Sequence, residues 1–209
     1  MNFDLGSCNT GAHSIPTKKD SPPTYQKQFP LPIEHEREIK RQVMEWLKIG
    51  IDRPCESEYN SSLFLVKKKP PPAKPGEVGP RPQGFRVVQD LRALNKQTLP
   101  SNVRLPEIHE CLDRIAGKKP TVFSSLDLRS GYFQLPIQKG SEEKNSFFLS
   151  KSGTTILFNV TTQGLTSAPA SFARTMQQIF SRQVARNDLE VYLDDVLAYS
   201  KDHNVKDTR

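Results

Sequence analysis

Two apolar runs, 189–193 and 196–200, are separated only by Asp194-Asp195. A connection that short leaves the chain one way to continue: it folds back as a tight antiparallel hairpin. Leu189, Val191, Leu193, Val196 and Leu197 flank the acids. The hairpin must bury an apolar face while holding two carboxylates at its tip. Asp is a good turn residue, so one acid there needs no chemistry. Two side by side repel each other unless a cation or a base is near. On this pattern alone, an exposed Asp-Asp turn and a charged working site both stay open.

Asp127 adds a third acid. It ends the strand-like run 121–127, TVFSSLD. A carboxylate at a strand end meets a carboxylate pair on a hairpin if the two elements pair in one sheet. Three convergent carboxylates offer the oxygen ligands that Mg²⁺ takes. Two such ions can clamp the attacking and leaving oxygens of an in-line phosphoryl displacement. The charge distribution fits a polyanionic substrate. Lys and Arg number 30 against 23 acids, a net +7. Residues 67–96 hold eight basic residues and two acids, 8 − 2 = +6 of that excess. Such a cluster is either a solvated basic face or a site for a nucleic-acid backbone or a triphosphate.

Periodicity predicts the remaining elements. Ile39, Val43, Trp46 and Leu47 set one face of a helix over 34–49. Strands at 62–68 and 85–89 bracket a proline-rich loop, Pro70 to Pro82. A helix covers 106–116, and a hairpin joins 145–150 to 154–160 around Lys151-Ser152-Gly153. The strongest helix runs 167–185, with Ser167 as N-cap and Pro169 just inside. Residues 1–32, with five prolines, read as an extended lead-in or linker. Strand pairs and helices without regular alternation predict the α+β class. Cys8, Cys55 and Cys111 form no CxxC pair, which argues against a zinc or disulfide framework and for a reducing, intracellular setting. No apolar run suits a membrane span, and the first residues lack a secretory pattern.

Five blocks then stand in order: WLKIGIDRPCESEYNSSLFLVKKK at 46–69, FRVVQDLRALNK at 85–96, FSSLDLRSGYFQLPI at 123–137, TTQGLTSAPASF at 161–172 and VYLDDVLAYS at 191–200. Together they resemble the reverse transcriptase of Gypsy-type long-terminal-repeat retrotransposons and of retroviruses. GAHSIPTKKDSPPTYQKQFPLP at 11–32 is similar to the lead-in between protease and polymerase in such polyproteins. The likeness spans roughly residues 11–202. It implies a right-hand polymerase with fingers and a ferredoxin-like palm sheet: a lead-in over 1–32, fingers with the start of the palm over 33–122, and palm with an interleaved fingers segment over 123–209.

The resemblance also implies roles. Asp127 and Asp194 bind two Mg²⁺ ions, for which Mn²⁺ can substitute; Asp195 is the third catalytic carboxylate and the Leu128 carbonyl reaches the nucleotide-side metal. Tyr132 packs under the sugar of the incoming dNTP and excludes a 2′-hydroxyl. Arg86 and Lys68 hold the triphosphate, and Gln163 lies near the sugar. Tyr192 and Leu193 sit at the primer terminus. Asp90 and Arg92 brace the fingers by a salt bridge. The implied partners are an RNA or DNA template with its primer, with no membrane. The family's thumb and RNase H do not fit in the nine residues after Ser200. The expectation is therefore a fragment truncated before the thumb and inactive in isolation. A non-catalytic nucleic-acid-binding remnant is the alternative; a palm polymerase of another type fits the QGLTSAP block poorly.

Overall fold

The computed structural model describes residues 6–69, 84–101, 107–149 and 153–201. The proline loop, Pro106 at the expected helix start, the Lys151-Ser152 turn and most of the last nine residues lie outside them. The chain forms two compact units. The first comprises 1–16, 98–138 and 160–209; the second comprises 17–97 and 139–159. Both mix helices with antiparallel strands, as the α+β expectation requires.

In the first unit, β4 (Val122–Asp127), β7 (Leu189–Tyr192) and β8 (Asp195–Ser200) form a three-stranded sheet of order β4-β8-β7. Side chains alternate across it, so Val191 and Val196 face one side while Glu190 and Asp195 face the other. The apolar side buries Leu189, Val191 and Val196 with Leu135 and with Phe172 and Met176 of α4 (Ala168–Ile179). The expected single helix breaks at Phe180, and α5 (Ser181–Ala185) resumes it. Phe180 and Val184 still pack against the same core, so the break redirects the helix without losing its apolar face. On the other side, α3 (Ile108–Lys118) is tied to β7 by charge. Arg114 donates to Glu190 twice, Nε to Oε1 at 2.7 Å and Nη2 to Oε2 at 2.8 Å. This forked geometry is the strong form of the pair.

In the second unit, β1 (Asp52–Cys55), β5 (Ser146–Leu149) and β6 (Thr154–Phe158) form a sheet of order β1-β6-β5. No hydropathy pattern predicts β1, because Pro54 and the charged Asp52 and Arg53 hide it. The helix α1 (Ile33–Lys48) buries Ile39 and Val43, and Trp46 packs on Phe158 at 5.3 Å. The strands β2 (Leu63–Lys67) and β3 (Phe85–Gln89) pair as a separate ribbon. Glutamine side chains act as surrogate strand at both its edges. Gln28 accepts from the Leu63 amide at 2.8 Å and donates to its carbonyl at 2.7 Å. Gln42 of α1 donates to the Phe85 carbonyl at 3.0 Å. A short helix α2 (Arg92–Gln97) follows. Asp90 and Arg92 do form the expected ion pair, at 2.7 Å.

One carboxyl in this unit is out of place. Asp52 is 2% exposed, and neither oxygen has a hydrogen-bond partner among the described residues. Burial pushes its pKa up to about 7, against 3.8 ordinarily. Between these values the unfolded chain ionises the group while the folded chain keeps it protonated. Folding stability therefore falls as pH rises from about 4 to about 7. Asp52→Asn abolishes this titration and should stabilise the chain at pH 8 by about 1–3 kcal/mol, with little effect at pH 4. Urea melts at the two pH values check this.

Candidate active site

The pairing of β4 with β8 sets the geometry. Asp127 stands opposite Asp195, and Asp195 stands opposite Tyr192 on β7. Directly opposed residues on adjacent antiparallel strands share a face, with Cβ atoms about 4.5–5.5 Å apart. Asp127, Asp195 and Tyr192 therefore form one row across the sheet end, all exposed. Asp195 belongs to β8, so it is not at the hairpin tip as the apolar runs suggested. The two-residue turn is Leu193-Asp194.

That turn is strained. Leu193 has φ +57°. A two-residue hairpin with positive φ at its first position normally places Gly there. A non-glycine residue in this region costs on the order of 1–3 kcal/mol, and such residues cluster at functional sites. Ser130, three residues after Asp127, also has positive φ, +52°. Both acid-bearing segments thus adjoin a strained non-glycine backbone.

Tyr132 sits on a short 3-10 turn, Gly131–Gln134, just after the β4 acid. Its ring stacks on Phe172 of α4, centroids 4.8 Å apart at 24°. Burial raises its pKa, and the charge of Asp194 raises it further. Structure thus brings Tyr132 within electrostatic reach of the turn acid. Leu128 is half-buried, its side chain packed on the same core. Gln163 is exposed in the turn before α4, where Gly164 takes φ +104°.

The row of like charges calls for a cation. Its donors are all oxygen, the set that suits Mg²⁺ or Mn²⁺. Among the described residues, no three His, Cys, Asp or Glu side chains are gathered closely enough to hold a metal ion as they stand. The paired strands bring Asp127 and Asp195 to one place, and the turn carries Asp194 beside them. Exposed side chains can rotate toward an ion without disturbing the sheet.

Lys68 and Arg86 belong to the second unit. On the β2–β3 ribbon Arg86 faces Val66, and the Lys68 amide donates to the Gly84 carbonyl at 2.8 Å. Residues 66 and 68 share a face, so the two cations lie on one side of the ribbon, both exposed.

Residues 66–208 match the family described as reverse transcriptase (RNA-dependent DNA polymerase). The chain belongs to this family. It is 35% identical over 192 residues, 92% of its length, to the retrovirus-related Pol polyprotein from transposon 297 of Drosophila melanogaster. It is 31% identical, over 94% of its length, to the corresponding polyprotein from transposon gypsy of the same fly. The enzymatic polyprotein of Cauliflower mosaic virus (strain CM-1841) is 32% identical over 81% of the chain. The chain spans 17%, 18% and 23% of these three relatives, in that order. The expected Gypsy-type likeness therefore holds over most of the chain.

Three supports of this candidate site carry no clear signal in the sequence. Glu190 and Arg114 anchor β7; the signal was a lone acid inside the apolar run LEVYL. Phe172 carries the Tyr132 ring, and Gly131 makes room for that contact. A Cβ at Gly131 would lie 2.9 Å from Phe172 Cζ and 3.3 Å from Leu128 Cβ. Gly131→Ala should therefore push the two rings apart and cost about 1–3 kcal/mol. A urea melt checks the stability. An unchanged midpoint would show that the stack has slack.

Proposed function

We propose that this chain carries the nucleotidyl-transfer centre of an RNA-directed DNA polymerase, which adds dNTPs to a primer 3′-hydroxyl on an RNA or DNA template. In this reading the first unit supplies palm and the second supplies fingers. The observation that carries it is the in-register pairing of Asp127 with Asp195, beside the turn acid Asp194 and the Tyr132 ring. Family membership supports it, since the matched region contains all of these residues.

Asp127, Asp194 and Asp195 would hold two Mg²⁺ ions, with the Leu128 carbonyl as a further oxygen ligand. When bound, such a pair supplies electrostatic stabilisation of the attacking and leaving oxygens. Tyr132, fixed by Phe172, presents a flat ring against the sugar and leaves no room for a 2′-hydroxyl. Gln163 hydrogen-bonds near the sugar. Arg86 grips phosphate oxygens with its planar fork, and Lys68 adds a point charge. Tyr192 and Leu193 flank the primer terminus; the strained Leu193 backbone fixes where Asp194 points. No helix among the described residues is long and apolar enough to cross a membrane.

A non-catalytic nucleic-acid-binding role is the competing reading, and the intact three acids speak against it. Primer extension with Mg²⁺ on an RNA template decides between them, in a polymerase that carries this chain. Asp194→Asn should reduce the rate by at least about 10³-fold, and Tyr132→Ala should admit ribonucleotides. Persistent activity in Asp194→Asn would sink the metal assignment. Unchanged sugar selection in Tyr132→Ala would sink the role of the ring.

A further inference from the structure

Residues 8–16 have no helix or extended strand of their own, yet the first unit holds them along their length. The Cys8 amide donates to the Gln134 carbonyl, the His13 amide to the Pro136 carbonyl, the Gln138 amide to the His13 carbonyl and the Leu99 amide to the Pro16 carbonyl, each at 2.8 Å. His13 and Ile15 are 0% exposed.

A fully buried imidazole needs partners for both ring nitrogens. Here α4 supplies them. Nδ1 lies 2.9 Å from Ser171 Oγ and Nε2 lies 3.4 Å from Ser167 Oγ. Burial lowers the His13 pKa to about 4, which keeps the ring neutral, with one nitrogen donating and one accepting. A hydroxyl can take either complementary role. Ser167 occupies the N-cap position but its side chain makes no capping bond; it faces His13 instead. One turn beyond Ser171, Thr175 meets Gly11. A Cβ at Gly11 would lie 2.9 Å from Thr175 Oγ1. Ser167, Ser171 and Thr175 follow at i, i+4 and i+8, so they line one stripe of α4. Residues 11–13 lie along that stripe.

The same segment reaches both partners of the Tyr132 stack. Phe172 follows Ser171 on α4. Tyr132 belongs to the 3-10 turn whose last residue, Gln134, accepts the Cys8 bond. We propose that residues 8–16 are a positioning strap for the Tyr132 ring, with His13 as its key side chain, a role that rests on the reading of Tyr132 given above. His13 touches no substrate. It is a positioning residue that fixes α4, and through Phe172 the ring that faces the sugar.

The test reads sugar discrimination, the ratio of dNTP to rNTP incorporation, in a polymerase that carries this chain. A purely structural role lowers both rates together and leaves the ratio unmoved. His13→Leu should lower the ratio by about three- to tenfold. His13→Gln, which keeps a donor and an acceptor, should restore most of it. Tyr132→Ala serves as control. If it leaves the ratio unchanged, the reading of Tyr132 fails and the strap with it. If it lowers the ratio while His13→Leu does not, the strap alone is overturned. Should His13→Leu be inactive, the Ser167→Ala, Ser171→Ala double variant carries the same test: a lowered ratio supports the strap and an unchanged one refutes it. Where activity is lost in both, the Tyr132 ring resonances, governed by Phe172 at 4.8 Å, are compared by NMR with those of the unsubstituted chain. Movement supports the strap, and identical shifts overturn it.

Discussion

Asp127 facing Asp195 across β4 and β8 is the arrangement on which the first unit turns. Like charges directly opposite in a sheet destabilise the pairing. Contacts of β8 and β7 nevertheless hold the sheet elsewhere. Val196 is buried beside Val191, and β7 is clamped to α3 through Glu190 and Arg114. The apolar face and the half-buried ion pair thus offset the repulsion at the sheet end. An oxygen-binding cation is the partner that would turn this repulsion into attraction.

The strain in the hairpin has the same logic. A hairpin with Gly at position 193 would relax, whereas Leu193 holds φ +57°. The cost fits a turn whose work is to aim Asp194, with Tyr132 close enough to feel its charge. Stability is given up at the site and recovered in the packing of α4 behind it. The positioning strap extends this pattern by one layer, since Ser167 forgoes its cap to meet His13.

Much of this was legible in the residues. The apolar runs around 189–200 placed the hairpin, and the helical spacing of Ile39 and Val43 placed α1 within one residue at each end. The expected strands of the 62–68 and 85–89 ribbon stand as β2 and β3. What stayed hidden depends on tertiary contacts. The strand β1 carries Pro54 and two charged residues, Asp52 and Arg53, so no alternation announces it; pairing with β6 makes it a strand. The break at Phe180 leaves the helical period intact. The assignment of the turn to Leu193-Asp194 depends on a register that hydropathy cannot resolve, because Leu193 reads as strand. His13 looked like one polar residue in a proline-rich arm, and only α4, more than 150 positions away, gives its ring partners.

The central claim is that these carboxylates form a divalent-cation site. Paramagnetic broadening on titrating this chain with Mn²⁺, followed residue by residue by NMR, tests it most directly. The account predicts that the signals of Asp127, Leu128, Asp194 and Asp195 broaden first and together. Loss of signals elsewhere before these, or no broadening around them, would contradict it.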